Sequence, residues 1–471
     1  MGGHTMIITR TVTKRLLAVL LALFFVAAAC GSSDDNSSGG GDNGGDEAAA
    51  PSCDQDGTLN VPGDFDTIQA AADAAGPNAL VLVASGTYEE AVNVTCPDIT
   101  IRGVDRNEVI LDGGFELENG VRILETDGVV VENMTAQNYT GNGFFWTGVD
   151  GYRGSYLTAI RNGDYGVYAY GSVNGVLEHS YGSGSPDAGI YIGQCGDCNA
   201  VVDDFTSEWN GLGYSGTNAS NVIIVNSEFR ENRVGIVTNS GSYEGCAPVV
   251  GVTLVGNDVH DNGNSETSAI DDAIEGEGNG IILSGAIDAE VARNRTSGNP
   301  VAGIAVIPFP EFDPSGPLID APDLDCVEDS VPVSDAEIAD LPNPLVWHSS
   351  GNRVTGNVSE DNGTWDLALI EAAEEGNCFS DNESPITTPP DLQAVAPCDG
   401  TGSAYELESA AYVAALDADG NQDSKAFQDV DLPDPGDLEN MPDAATAPTE
   451  PARGPGEIDT DSITVPDAPT D

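Results

Sequence analysis

Two sets of side chains recur at one interval. Phe145, Tyr168 and Tyr191 follow one another at 23 residues, and Asp164 and Asp187 are separated by the same 23. If the chain coils with that period, equivalent residues stack on neighbouring strands about 4.8 Å apart. Aromatic rings at that spacing form a flat strip on which sugar rings can stack. Aromatics also favour strands for their own sake and cover their neighbours, or a loop can lie over them. Tyr170, two places after Tyr168, should share its side of the strand, and Gln194 follows just past Tyr191. Asp164 and Asp187, so stacked, would repel, and a shared proton, a metal ion or a cationic partner would relieve them. Paired carboxyls are also the machinery of glycoside hydrolysis, whereas two turn residues facing water need no chemistry.

A third set is gathered by an insertion. His260 is followed closely by Asp271, Asp272, Glu275 and Glu277. An imidazole among carboxylates suits general acid–base chemistry or a metal site, although a single His in a polar turn is also commonly just solvated. The catalytic candidates are therefore His260, Asp164, Asp187 and Asp272. The binding candidates are Phe145, Tyr168, Tyr170, Tyr191 and Gln194.

These residues must be positioned by a repeat. Segments of the form Gly-apolar-x-apolar begin at Gly120, Gly143, Gly166 and Gly189, and return less strictly at Gly213, Gly235, Gly280 and Gly303. Between them a short apolar strand ends in a polar residue, with Asn five or six places on, as in Asn226…Asn232, Asn257…Asn262, Asn294…Asn299 and Asn357…Asn362. Asn tolerates left-handed backbone, so it suits a turn repeated in register. Each unit holds two or three short β-rich runs and no helical pattern, which predicts coils of parallel strands. The residue after each marker glycine (Val121, Phe144, Val167, Ile190, Tyr214, Ile236, Ile281, Ile304) is apolar and should face the core. The next residue should face out.

With Pro186-Asp187-Ala188-Gly189-Ile190-Tyr191 as one such unit, the chain resembles right-handed parallel β-helix proteins of the pectin-lyase-like class, and exported bacterial β-helix proteins of unknown function in particular. The resemblance spans residues 58 to 385 and implies an all-β, single-stranded right-handed parallel β-helix. A short capping helix at Asp66 to Ala75, a strand, and the turn Gly86-Thr87-Tyr88-Glu89-Glu90 are similar to the opening of many members, with Asp66 as N-cap and both glutamates structural. Asp203-Asp204 resembles the Asp pair of polygalacturonases. The Gly-His-Gly of those enzymes and the Asp-Pro-His-Asp of uronate epimerases are both missing, so no catalytic set carries over whole. Two functions stay open. One is a non-catalytic surface protein binding a polysaccharide or a protein partner along the aromatic face. The other is a polysaccharide-processing lyase, hydrolase or epimerase.

Three insertions break the rhythm, at Ser240 to Val250, Gly263 to Asn279 and Pro308 to Ser350, and long loops on a solenoid tend to gather on its working face. The chain of 471 residues carries 78 acidic against 15 basic residues, a formal charge of −63. Such a chain is not built for nucleic acid, which wants a basic face. The charge reads either as a solvated acidic surface or as cation binding, with Ca²⁺ the first candidate.

Residues 1–29 read as a lipoprotein signal peptide, with Arg10, Lys14 and Arg15 before an apolar run from Leu16 to Ala29. Small residues before Cys30 resemble a lipobox, which implies a lipid on Cys30 as the sole membrane contact and display on the outer face of a bacterial membrane. Cleavage near Ala29 as an ordinary signal peptide is the other reading. Residues 30–51 then form a disordered tether, 52–385 the β-helix and 386–471 a mostly disordered acidic Pro/Ala-rich tail with a possible helix at Ala404 to Leu416. Nothing in the pattern calls for an oligomer, so a monomer is expected. The eight further cysteines imply disulfides in an oxidising compartment, and proximity in the chain pairs Cys53–Cys96, Cys195–Cys198, Cys246–Cys326 and Cys378–Cys398. A redox-active dithiol at Cys195 and Cys198 stays open.

Overall fold

The computed structural model describes residues 50–310, 319–321, 326, 345–419 and 424–469. Cys30, the 1–29 segment and nearly all of the tether lie outside the described residues. The chain winds through roughly 13 turns of a parallel β-helix. One sheet has 18 strands, and the sheet that carries the aromatic column has 11. In the 11-stranded sheet the register follows the expected columns. Val121 pairs in line with Phe144, Val167, Ile190, Tyr214, Ile236, Ile281 and Ile304. All eight side chains are buried. They fill the solenoid interior, where each buried aliphatic or aromatic side chain contributes about 1.5–3 kcal/mol.

The asparagine markers do more than shape turns. Asn226 is left-handed, with φ 50°, but most of the others are buried amides stacked into ladders. Asn210, Asn232, Asn262 and Asn299 each pass an Nδ2–H to the Oδ1 of the Asn one coil on, ending at Asn362, at 3.1, 3.2, 3.0 and 2.9 Å. A second ladder joins Asn257, Asn294, Asn357 and Asn382 at 2.9, 3.0 and 2.9 Å. A side-chain amide offers both a donor and an acceptor, so Asn continues such a ladder in both directions.

Helix α1 (Ile68–Ala74) covers the first coil. Its N-cap is Thr67 rather than Asp66: Thr67 Oγ1 accepts from Ala70 N at 3.1 Å. Glu90 accepts the free N–H groups of Ile68 and Gln69 at 3.1 and 3.0 Å, which gives the Gly-Thr-Tyr-x-Glu turn its structural purpose. The four disulfides are those expected, and Cys195–Cys198 is therefore a bridge rather than an open dithiol. At the far end the solenoid runs past residue 385. Strand Thr387–Thr388 joins the 11-stranded sheet and the short helix Leu392–Val395 seals the last coil with buried Leu392.

The expected disordered tail differs most from the structure. A helix forms at Ser409–Asp419, where Tyr412 packs on Trp365, and residues 424–469 lie along the solenoid. Arg102 donates to the carbonyls of Ala444, Ala447 and Pro448 at 3.2, 2.8 and 3.0 Å. Arg106, Arg161, Arg293 and Arg295 hold Glu439, Val430, Ile463 and Pro466 in the same way, at 3.1, 2.9, 2.8 and 3.0 Å. Guanidinium forks take up backbone carbonyls that an extended Pro-rich segment cannot pair within itself.

Candidate functional site

The strip on the outside of the 11-stranded sheet exists. Phe145, Tyr168 and Tyr191 are in register on strands Phe144–Thr147, Tyr165–Tyr170 and Ala188–Gly193. Their rings stack at 4.9 and 4.8 Å, tilted by 12° and 15°. Tyr170 lies parallel to Tyr168 at 5.9 Å, and Tyr165 leans on Tyr168 and Tyr191 at 4.7 and 5.0 Å. Arg122 sits 6.0 Å over Phe145 at one end. Phe145, Tyr165, Tyr168 and Tyr170 are half-buried, so the strip is open there, whereas Tyr191 is only 2% exposed.

The closure over Tyr191 comes from the first insertion. Asn218 anchors that loop: its Nδ2 donates to the carbonyls of Gly241 and Glu244 at 2.8 Å, and its Oδ1 accepts from Gly241 N at 3.0 Å. Glu244 is thereby held over the sheet, and Tyr191 donates its hydroxyl to Glu244 Oε1 at 2.6 Å. Gly193 makes room for this: a Cβ there would lie 1.9 Å from Tyr191 Oη. Gln194 is drawn into the same scaffold, since its Oε1 accepts from Gly245 N at 3.0 Å and from the Tyr170 hydroxyl at 2.5 Å. It positions the loop.

Beside the rings the acids converge. Asp164 and Asp187 occupy successive turns, with Asp187 N donating to Asp164 O at 3.2 Å, and Tyr165 hydrogen-bonds Asp187. The second insertion reaches the same place because Ile270 N donates to Pro186 O at 3.0 Å. This sets helix α2 (Asp271–Glu275) beside Asp187. Burial pushes Asp187 well up from the carboxylate range, and the charges of Asp164, Asp272 and Glu244 add to it. Burial raises Asp164 and Asp272 too, and it lifts Glu275 to about 7 and Glu244 to about 8. A neutral Glu244 can donate a proton at neutral pH, and an ionised carboxylate nearby can take one.

His260 is elsewhere. It lies on strand Asp258–His260 of the 18-stranded sheet, in register with Arg230 and Ser297. Its Nδ1 meets Asp261 at 2.8 Å and its Nε2 meets Glu228 at 3.2 Å. Burial works against its charge, but Glu228, Asp261 and Asp258 outweigh burial and hold it up at about 9. The expected grouping of His260 with the acids of the second insertion is not formed, because the two belong to different faces of the coil. Glu277 instead pairs with Arg233 at 2.9 Å. Glu228, Asp258 and His260 can bring ligand atoms within 4.8 Å of one another, the one such group among the described residues. An imidazolium and Arg230, 2.8 Å from Glu228, already balance the charges there. Asp203 and Asp204 are exposed enough to serve as turn partners, accepting from Asn226 at 2.8 Å and meeting His179 at 2.6 Å.

Tyr165 and Glu244 are members of the site that the repeat pattern did not single out. Tyr165 sits in the slot before a marker glycine, which could have pointed to it. Glu244 is the lone acid of an insertion and has no repeat position.

A family model described as right handed beta helix region matches residues 119–309. That description agrees with the parallel β-helix and register of the structure. None of the curated proteins compared matches the sequence. Among solved structures, the A-module of the mannuronan C-5 epimerase AlgE4 of Azotobacter vinelandii is 16% identical. The match covers 71% of this chain and 96% of that one, with a TM-score of 0.47. An alginate lyase from Paenibacillus sp. is 15% identical over 57% of this chain and 95% of its own, at a TM-score of 0.37. At these identities no residue role is carried across.

Proposed function

We propose that the chain is an exported surface protein that binds a polysaccharide along the Phe145–Tyr168–Tyr191 face. The observation that carries this reading is the coaxial stack of the three rings at 4.9 and 4.8 Å, open at Phe145 and Tyr168 and flanked by Asp164 and Asp187. A strip of parallel rings offers an extended apolar surface to successive sugars, and the acids and tyrosine hydroxyls offer hydrogen bonds at its edge. The loops inserted into the solenoid serve this face, as Glu244 and α2 illustrate. Four disulfides fit an oxidising, extracytoplasmic compartment. No helix among the described residues is long and apolar enough to cross a membrane. In this reading a lipid at Cys30 tethers a monomeric β-helix to the outer face of the cell membrane.

A second reading, a polysaccharide-processing enzyme, is favoured by one further observation: Glu244, lifted to about 8, touches the strip through Tyr191. It would be the proton donor, with Asp164 as its counterpart. A glycan panel assayed with the full chain for both retention and product release tests the two readings. Retention without new chain ends supports the binding protein. Release of products that disappears in Glu244→Gln supports the enzyme, and neither retention nor release contradicts both.

A further inference from the structure

The charge around the strip is one-sided. The first insertion carries Glu244 and the second carries Glu266, Asp271, Asp272, Glu275 and Glu277, and none of the three insertions contains a Lys or Arg. The third, Pro308 to Ser350, is tied to the first by Cys246–Cys326. The cations that do come near the second insertion are already used: Arg233 bonds Glu277 at 2.9 Å and Lys425 pairs with Glu266. Arg122 stands at the far end of the strip, over Phe145. At the centre, Glu244 Oε2 is buried and has no hydrogen-bond partner among the described residues, while its Oε1 is bound by Tyr191. A buried carboxyl oxygen without a partner is costly, and a ligand site is one reason for one to persist.

We propose that the strip takes an amino-sugar polysaccharide, whose ammonium groups sit among Glu244, Asp187 and Asp164 while its sugar rings stack on Tyr168 and Phe145. The proposal rests on the reading of this face as a polysaccharide site and names the class of polymer. An ammonium group supplies the donor that Glu244 Oε2 lacks and the positive charge that lets the neighbouring acids ionise together. A polyuronate would bring more negative charge to the acids around Glu244, where the nearby Arg233 and Lys425 are already paired, so it is disfavoured on the same ground. The burial that raises the acids strengthens this choice, because the low dielectric that penalises like charges also strengthens an opposite pair.

The test compares three oligosaccharides of equal length on the full chain by titration calorimetry: a β-linked glucosamine oligomer, its N-acetylated form, and an oligouronate with and without Ca²⁺. The buffer is held near pH 6, where the amines carry protons. The amino oligomer should bind at least about tenfold more tightly than the N-acetylated one, the scale of one charge-assisted hydrogen bond. Glu244→Gln should remove most of that difference. Equal or tighter binding of the N-acetylated oligomer would overturn the assignment of class and leave the polysaccharide reading intact. So would tightest binding of the oligouronate with Ca²⁺. Binding of none of them, with thermal unfolding showing a folded protein, would overturn the underlying reading as well.

Discussion

Tyr191 and Glu244 are joined hydroxyl to carboxyl at 2.6 Å, and this bond fastens an inserted loop to the aromatic floor of the solenoid. The loop buries one end of the strip and leaves the other open. It also brings an acid with no place in the repeat to the middle of the site. The solenoid supplies a platform of fixed spacing, and the insertions supply what makes one stretch of it different from the rest.

If Gly193 exists to make room for that bond, Gly193→Ala should disturb it without touching the core. Its Cβ would fall on Tyr191 Oη. The tyrosine hydroxyl is the far end of the side chain, so the ring must swing and release Glu244. The expected loss is about 1 kcal/mol of stability, the net value of a hydrogen bond between neutral groups. Thermal unfolding measures it, and hydrogen exchange should localise the loosening to residues 240–250.

Glu244 also predicts a pH dependence. Its carboxyl is raised from 4.5 to about 8 in the folded chain. The folded state therefore holds a proton that the unfolded state gives up between about pH 4.5 and pH 8, and stability falls across that window as pH rises. Glu244→Gln removes this contribution. Its melting temperature should drop less than that of the wild type between pH 5 and pH 9, and equal slopes for the two proteins would contradict the assignment.

His260 should act in the same direction, in a higher pH window. Held up at about 9 from 6.5 by Glu228 and Asp261 despite burial, it stabilises the fold fully below about pH 6.5, and the contribution is lost as pH climbs through 9. His260→Gln should cost about 1–2 kcal/mol near pH 6 and almost nothing at pH 10. Glycan retention or turnover should be unchanged, since His260 lies on another sheet.

Truncation after residue 423 should destabilise the protein well beyond the loss of a disordered tail. Arg102 and Arg106 are 1% and 3% exposed beneath residues 424–469, the strap, and carbonyls of Ala444, Ala447 and Pro448 complete the bonding of Arg102, whose Nε donates to Glu132 at 2.6 Å. Removing buried acceptors from an arginine costs several kcal/mol. A lower melting temperature and faster proteolysis near Arg102 are expected; an unchanged melting temperature would mean that the strap contributes nothing to the fold.

The interval of 23 residues made the coil, its register and both columns legible, because stacking residues one repeat apart is a geometric necessity once the period is known. The disulfides followed from proximity along the same axis. The interval is silent wherever it is broken. Glu244 and α2 reach the strip through insertions whose paths depend on single contacts, Asn218 to Gly241 and Ile270 to Pro186. His260 sits close in sequence to Asp272, but a turn of the coil puts them on different sheets. The tail reads as disordered because its own composition cannot fold. It is ordered by arginines scattered through the solenoid, and they grip backbone carbonyls, which every residue has and no sequence pattern marks.

The central claim is that the ring stack is a binding surface, and Tyr168 is its open middle. The direct measurement is the affinity of the full chain and of Tyr168→Ala for whichever glycan the panel retains, with melting temperatures recorded for both. Loss of one central stacking ring should weaken binding by roughly tenfold or more while the fold stays intact. A Tyr168→Ala protein that melts like the wild type and binds the glycan equally well would contradict the account.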